Sequence, residues 1–206
     1  ADCACKDNQV YDEWIVRDQG AMVRQMGYSP KEFAQIMINK EGGIEKANKL
    51  FDIKDIKPSD YHPVKVEKNS SGEVYSKILS KVFEKGYDFT DYNRASSIYW
   101  PGNKLGHGRE DVAKLWNSLK NIFIDIKFSI EHVGQLNEPN KNPRASIRWF
   151  LEGIHSNESK DYGKKTNSKL FIMGINHVEL NEDGIIREWV LFDEVAIWKQ
   201  ILMNNN

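Results

Sequence analysis

Apolar and polar positions alternate along this chain with two different periods. Val74, Ile78, Leu79, Val82 and Phe83 recur at helical spacing and stop at Gly86, which predicts an amphipathic helix. Residues 87–94 carry no clear period, and 97–102 predict a short extended piece entering a turn. Gly106-His107-Gly108 then leads into a helix predicted over 109–123, with Val112, Leu115, Trp116, Leu119, Ile122 and Phe123 on one face. After it the period changes to two. Ile126, Phe128 and Ile130 alternate through 125–133, and Ala145, Ile147, Trp149 and Leu151 through 144–155. Polar loops are predicted over 135–143 and 156–168, followed by a strand over 169–180. Helices followed by long antiparallel strands predict an α+β cone, with helices packed on one face of a curved sheet.

The last stretch, 185–200, follows Asn181-Glu182-Asp183-Gly184, a turn that joins antiparallel strands. Arg187, Trp189, Leu191 and Asp193 share one face of it, and Ile186, Glu188, Val190 and Phe192 the other. Apolar bulk on both faces predicts a strand covered on both sides. A carboxylate among such residues loses hydration, its pKa rises, and it becomes suited to proton transfer. Asp193 is therefore the leading candidate for chemistry. The plainer alternative is an Asp that caps a turn or pairs with an Arg.

The same stretch occurs a second time near the N-terminus. Residues 8–26 align without gaps on 183–201, matching Glu13 to Glu188, Trp14 to Trp189, Asp18 to Asp193, Ala21 to Ala196 and Gln25 to Gln200. We expect a duplication whose first copy has lost most of what preceded it, with a strand that pairs with another sheet edge, in the same chain or in a second copy. Ser29-Pro30-Lys31-Glu32 has capping-box spacing before a helix carrying Phe33, Ile36 and Met37, and Gly42-Gly43 ends it. A short helix over 44–51 and an irregular linker over 52–72, containing Pro58 and Pro63, complete this part. The expected division is 1–71 for the truncated repeat and linker, and 72–206 for the main domain.

Composition narrows the function. The chain has 206 residues with 40% hydrophobic and 29% charged positions, ordinary for a globular protein. A formal net charge of -1 gives no electrostatic case for nucleic acid or an anionic membrane. No apolar run approaches the roughly 20 residues of a membrane span. The N-terminus has neither a signal peptide's pattern nor an initiator Met, so a leader already removed stays open. Cys3 and Cys5 align with Val178 and Leu180, which favours buried apolar packing over metal ligation, because no partner ligands accompany them. Without a disulfide framework, a reducing, cytoplasmic compartment is the default.

With these residues in hand, a family resemblance stands out. The order of helices, Arg148-Trp149 with Gly153 and His155, Gly174-Ile175-Asn176-His177, Asp183-Gly184, Glu188-Trp189, Phe192-Asp193-Glu194 and Gln200 resembles the SnoaL-like polyketide cyclases. That group belongs to the nuclear transport factor two-like superfamily. The resemblance spans about 72–203 and returns in 1–33. It implies a cone around an apolar pocket, frequently a homodimer, and no metal or organic cofactor. In its cyclases an Asp on the last strand serves as acid and base for an intramolecular aldol closure, assisted by a His on the preceding strand. Asp193 matches that Asp, and His177 loosely matches the His.

Around them, Tyr99, Trp100, Trp149 and Trp189 form either an aromatic ligand wall or plain core packing. Met173 shares a strand face with His177, and His155 either closes the pocket mouth or is simply solvated. The glycines beside His107 are better explained by helix entry. Arg148, opposite Trp149 in parity, belongs to the outer face or a dimer contact. No Gly-rich phosphate loop, Ser-His-Asp order or metal-spaced cluster is present. Two functions fit. One is a cofactor-independent cyclase, isomerase or dehydratase that works by Asp193 beside a carbonyl of a hydrophobic small molecule. The other is a non-catalytic ligand-binding or dimerisation module.

Overall fold

The computed structural model describes residues 1–47 and 66–204. The linker expected over 52–72 lies mostly outside the described residues, as does the end of the helix expected over 44–51. Elements follow as β1 (Asp2–Lys6), β2 (Gln9–Trp14), α1 (Gln19–Gln25), α2 (Pro30–Lys40), α3 (Ser71–Val82), β3 (Tyr92–Trp100) and β4 (Lys104–His107). Then come α4 (Gly108–Lys120), β5 (Phe123–Leu136), β6 (Arg144–His155), β7 (Lys169–Asn181), β8 (Gly184–Phe192) and α5 (Glu194–Met203). One six-stranded sheet has the order β4-β3-β8-β7-β6-β5, antiparallel except where β3 runs parallel to β8. The α+β cone expected from the sequence is the fold observed.

Local chemistry accounts for the boundaries. Ser29 and Glu32 form a reciprocal capping box with Pro30 at the first position of α2. Ser70 caps α3 by accepting from the Glu73 amide. β7 and β8 meet at Asn181 and Gly184, where φ of +109° suits a residue without a Cβ. Phe123, expected at the end of the preceding helix, instead opens β5, because α4 stops at Lys120.

The inner face of the sheet is covered by α3 and α4. Ile147, Trp149 and Leu151 of β6, Ile172 and Val178 of β7, and Val190 and Phe192 of β8 meet Tyr75, Leu79, Val112, Trp116 and Leu119 there. Trp149 reaches so close to β7 that a Cβ at Gly174 would collide with its ring.

The N-terminal part differs from expectation. Its strand does not join an edge of the main sheet. β1 and β2 make their own two-stranded hairpin, turned by Asp7 and Asn8, both at positive φ. This hairpin docks on the outer sheet face through side chains. Asp2 accepts from Arg148 Nε at 2.7 Å and lies 2.7 Å from His132 Nδ1. The Arg148 guanidinium sits 4.1 Å from the centroid of the Trp14 ring. Arg148 is thus on the outer face, as parity required. Cys3 and Cys5 are exposed, contrary to the packing role expected; Ala4, between them, takes the buried side of the strand. Farther along, Arg24 of α1 holds Glu194 with two hydrogen bonds of 2.5 and 3.2 Å, and Lys199 of α5 holds Glu41. Among the described residues no helix is long and apolar enough to cross a membrane.

Candidate functional site

The two faces of β8 present two quite different carboxylates. Glu188 points inward and is fully buried. Its Oε1 accepts from Tyr75 at 2.5 Å and from Asn176 Nδ2 at 3.1 Å; Oε2 accepts from Tyr92 at 3.0 Å and Trp116 Nε1 at 3.1 Å. Asn176 in turn accepts from Trp149 Nε1 at 2.8 Å. Burial raises the Glu188 pKa above its ordinary value although four hydrogen bonds favour the charged form. Both tyrosine hydroxyls are pushed well above their ordinary range by the same burial. Every acceptor site of Glu188 is occupied, so the network organises the core and leaves this carboxylate nothing to offer a ligand.

Asp193 lies just beyond β8 and opens outward. Its Oδ1 caps α5, accepting from the Val195 amide at 2.9 Å and the Ala196 amide at 3.2 Å. Oδ2 has no hydrogen bond among the described residues. Burial pushes the Asp193 pKa up to about 6 against those two backbone bonds, and the neighbouring Asp18 and Glu194 charges add to the rise. Asp193 lines a cavity of about 320 Å³ between the outer sheet face and the N-terminal segment. Ile15, Val16, Arg17 and Gln19 form one side, and Phe171, Ile172, Met173, Ala196, Ile197 and Gln200 the other. That volume is at the small end of the roughly 300–1,000 Å³ of typical ligand clefts.

The candidate residues therefore separate. Asp193 and Met173 meet at this cavity. Trp100 and Trp149 are buried inside the cone, where Trp100 packs edge-on against Trp116 and Phe192. Tyr99 and Trp189 stack on the outer face, half exposed, with ring centroids 5.5 Å apart. His155 is fully buried at the end of β6, its Nε2 without a partner among the described residues, and burial lowers its pKa. His177 is exposed on the Asp193 face, but β7 pairs Gly174 with Phe192, which puts Met173 across from Asp193. His177 is four residues farther along, roughly 13 Å away at ~3.3 Å per residue, beyond direct contact with that carboxylate. Gln200 reaches the cavity, yet its amide is bonded to both backbone groups of Phe171.

Sequence patterns missed Tyr75, Tyr92, Trp116, Asn176 and Glu188 as a unit. The available signal was parity: Glu188 is the one acid in the Ile186, Val190, Phe192 face. Arg17 and Gln19 carried no signal, because their place depends on how the N-terminal segment docks.

No protein-family profile matches the sequence, and no curated protein matches it. Solved structures do resemble the fold. The chain has the fold of the SnoaL-like polyketide cyclases. TsrD from Streptomyces laurentii superposes with a TM-score of 0.53 at 11% identity, covering 69% of this chain and 100% of that one. A protein assigned as a SnoaL-like polyketide cyclase from Shewanella putrefaciens CN-32 gives 0.51 at 15% identity, covering 76% and 97%. A SnoaL-like polyketide cyclase from Agrobacterium tumefaciens gives 0.50 at 15% identity, covering 65% and 99%. Those coverages leave out a substantial part of this chain but almost none of the similar proteins, so the SnoaL-like cone forms only part of it.

Proposed function

We propose that the protein binds a small, largely apolar molecule in the outer-face cavity and that Asp193 exchanges a proton with it. The observation that carries this is a carboxyl with one oxygen unbonded among the described residues, lining a largely apolar cavity, whose pKa burial pushes up to about 6. Such a group is present in both protonation states near neutrality, the condition for acid and base work in one turnover. The proposed chemistry is of the cofactor-independent cyclase, isomerase or dehydratase type, with Asp193 beside a carbonyl. The test is Asp193→Asn: ligand affinity within a few-fold of wild type but turnover lost supports acid-base chemistry. Unchanged turnover of any substrate found contradicts it.

The non-catalytic binding reading has its own support. His177 is remote from Asp193, and the Gln200 amide is committed to Phe171, so among the described residues no second polar side chain beside Asp193 is free on the sheet side of the cavity.

Three further readings belong to this proposal. The hairpin and helix of β1, β2 and α1 repeat the order of β7, β8 and α5. Asp18 caps α1 through the Ala21 amide as Asp193 caps α5, which supports a duplication and a division near residue 71. The stacked, half-exposed Tyr99 and Trp189 suit a homodimer contact, which sizing of Trp189→Lys against wild type would test. The exposed, unpaired thiols of Cys3 and Cys5 fit a reducing, cytoplasmic setting.

A further inference from the structure

The charges around the Asp193 cavity are not equally available. Asp18 turns both carboxylate oxygens to the Gly102 amide, at 2.9 and 3.1 Å, and one of them also to the Ala21 amide. Glu194 is held by Arg24. Both carboxylates thus have partners, backbone amides for Asp18 and a guanidinium for Glu194, although their charges still raise the Asp193 pKa. Arg17 differs: it is an exposed residue at the cavity's lining and makes no hydrogen bond or ion pair among the described residues. Arg17 and Asp193 both face the same space without pairing to each other. The body of the cavity between them is apolar, with Ile15, Val16, Phe171, Met173 and Ile197.

We propose that the ligand is a small apolar carboxylic acid, its carboxylate seated on the Arg17 guanidinium and its hydrocarbon body between the N-terminal segment and β7. This rests on the Asp193 cavity being the ligand site. A planar guanidinium offers paired N–H donors matched to a carboxylate, and such charge-assisted bonds are about twice as strong as neutral ones. A cationic ligand would be repelled by Arg17 and could pair only with Asp193, whose charge fades below pH 6, and a neutral one would leave the guanidinium unused. As pH falls from about 7 to 6 Asp193 takes up its proton and repels an anion less, while an alkyl carboxylate stays ionised, so affinity rises. The other charged groups facing it, Asp18, Glu194 and Arg24, are held in the pairings above.

The test measures binding of octanoate, methyl octanoate and octylamine to the full chain by calorimetry or NMR shifts. Wild type, Arg17→Gln and the cavity-filling Ala196→Trp are compared at pH 6 and 7, where octanoate stays ionised. The expected result is octanoate bound ~10-fold more tightly than its ester, a preference that vanishes in Arg17→Gln. Loss of all binding in Ala196→Trp marks the cavity as the place. Equal binding of acid and ester, or tighter binding of the amine, overturns the carboxylate inference while the cavity site stands. Binding unaffected by Ala196→Trp, or no binding of any probe, overturns the cavity site and this inference together.

Discussion

Glu188 and Asp193 come from the same short stretch and end on opposite faces of one sheet, and their surroundings give them opposite roles. Glu188 has four donors on its two oxygens, drawn from α3, β3, α4 and β7, and no access to solvent. Asp193 has two backbone donors on one oxygen, none on the other among the described residues, and it lines a cavity. Both are raised by burial, so a raised pKa alone does not separate them. What separates them is spare hydrogen-bonding capacity: a saturated carboxylate holds a core together, and a half-satisfied one at a cavity is available to a ligand.

The largest effect is expected inside. Glu188→Ala strands the donors of Tyr75, Tyr92, Trp116 and Asn176 in a dry core, and should cost about 4 kcal/mol of stability by denaturant unfolding. A cost under 1 kcal/mol would mean the network is not a structural unit. Next is Gly174→Ala, which drives a methyl into the Trp149 ring and should cost about 2–3 kcal/mol, with a red-shifted or quenched Trp fluorescence.

Asp193 should show a smaller, pH-dependent effect. Its folded pKa of about 6 exceeds its ordinary value of 3.8. The folded state therefore holds the proton more tightly, and the stability this confers is full below pH 4 and lost as pH rises through 6. Comparing wild type with Asp193→Asn across pH 4 to 7, the wild-type advantage should fall by about 2 kcal/mol, allowing for the cavity's contact with water. The smallest effect is predicted for His177→Ala. It should change stability by less than about 0.5 kcal/mol and leave the Asp193 titration unmoved, because the two are far apart on β7. A shift of that titration by half a unit would restore the pair.

Much of this contrast was readable from residue order. The bounds of β6, the parity of β8 from Arg187 onward and the cone itself follow from periods of two and 3.6, which are properties of neighbours in sequence. Before Arg187 a register shift turns Ile185 rather than Ile186 into the core. The assignment of Asp193 to the interior with Trp100 and Trp149 was not readable, because β8 is apolar on both faces. Periodicity then shows which residues share a face but not which face meets the helices. Glu188 finds Tyr75 and Tyr92 across long stretches of chain, and no local pattern announces that meeting. The N-terminal hairpin hid for a related reason. Its docking rests on Asp2, Arg148, His132 and Trp14, four side chains that are adjacent only once the sheet exists.

The central claim is that Asp193 faces a ligand cavity as an exchangeable acid. Its side-chain carboxyl carbon, followed by NMR across pH 3 to 9 with Asp193→Asn to assign the signal, tests this most directly. The account predicts a midpoint near 6 that moves when a ligand fills the cavity and does not move in Ala196→Trp given the same ligand. A midpoint near 4, indifferent to any cavity ligand, would contradict it.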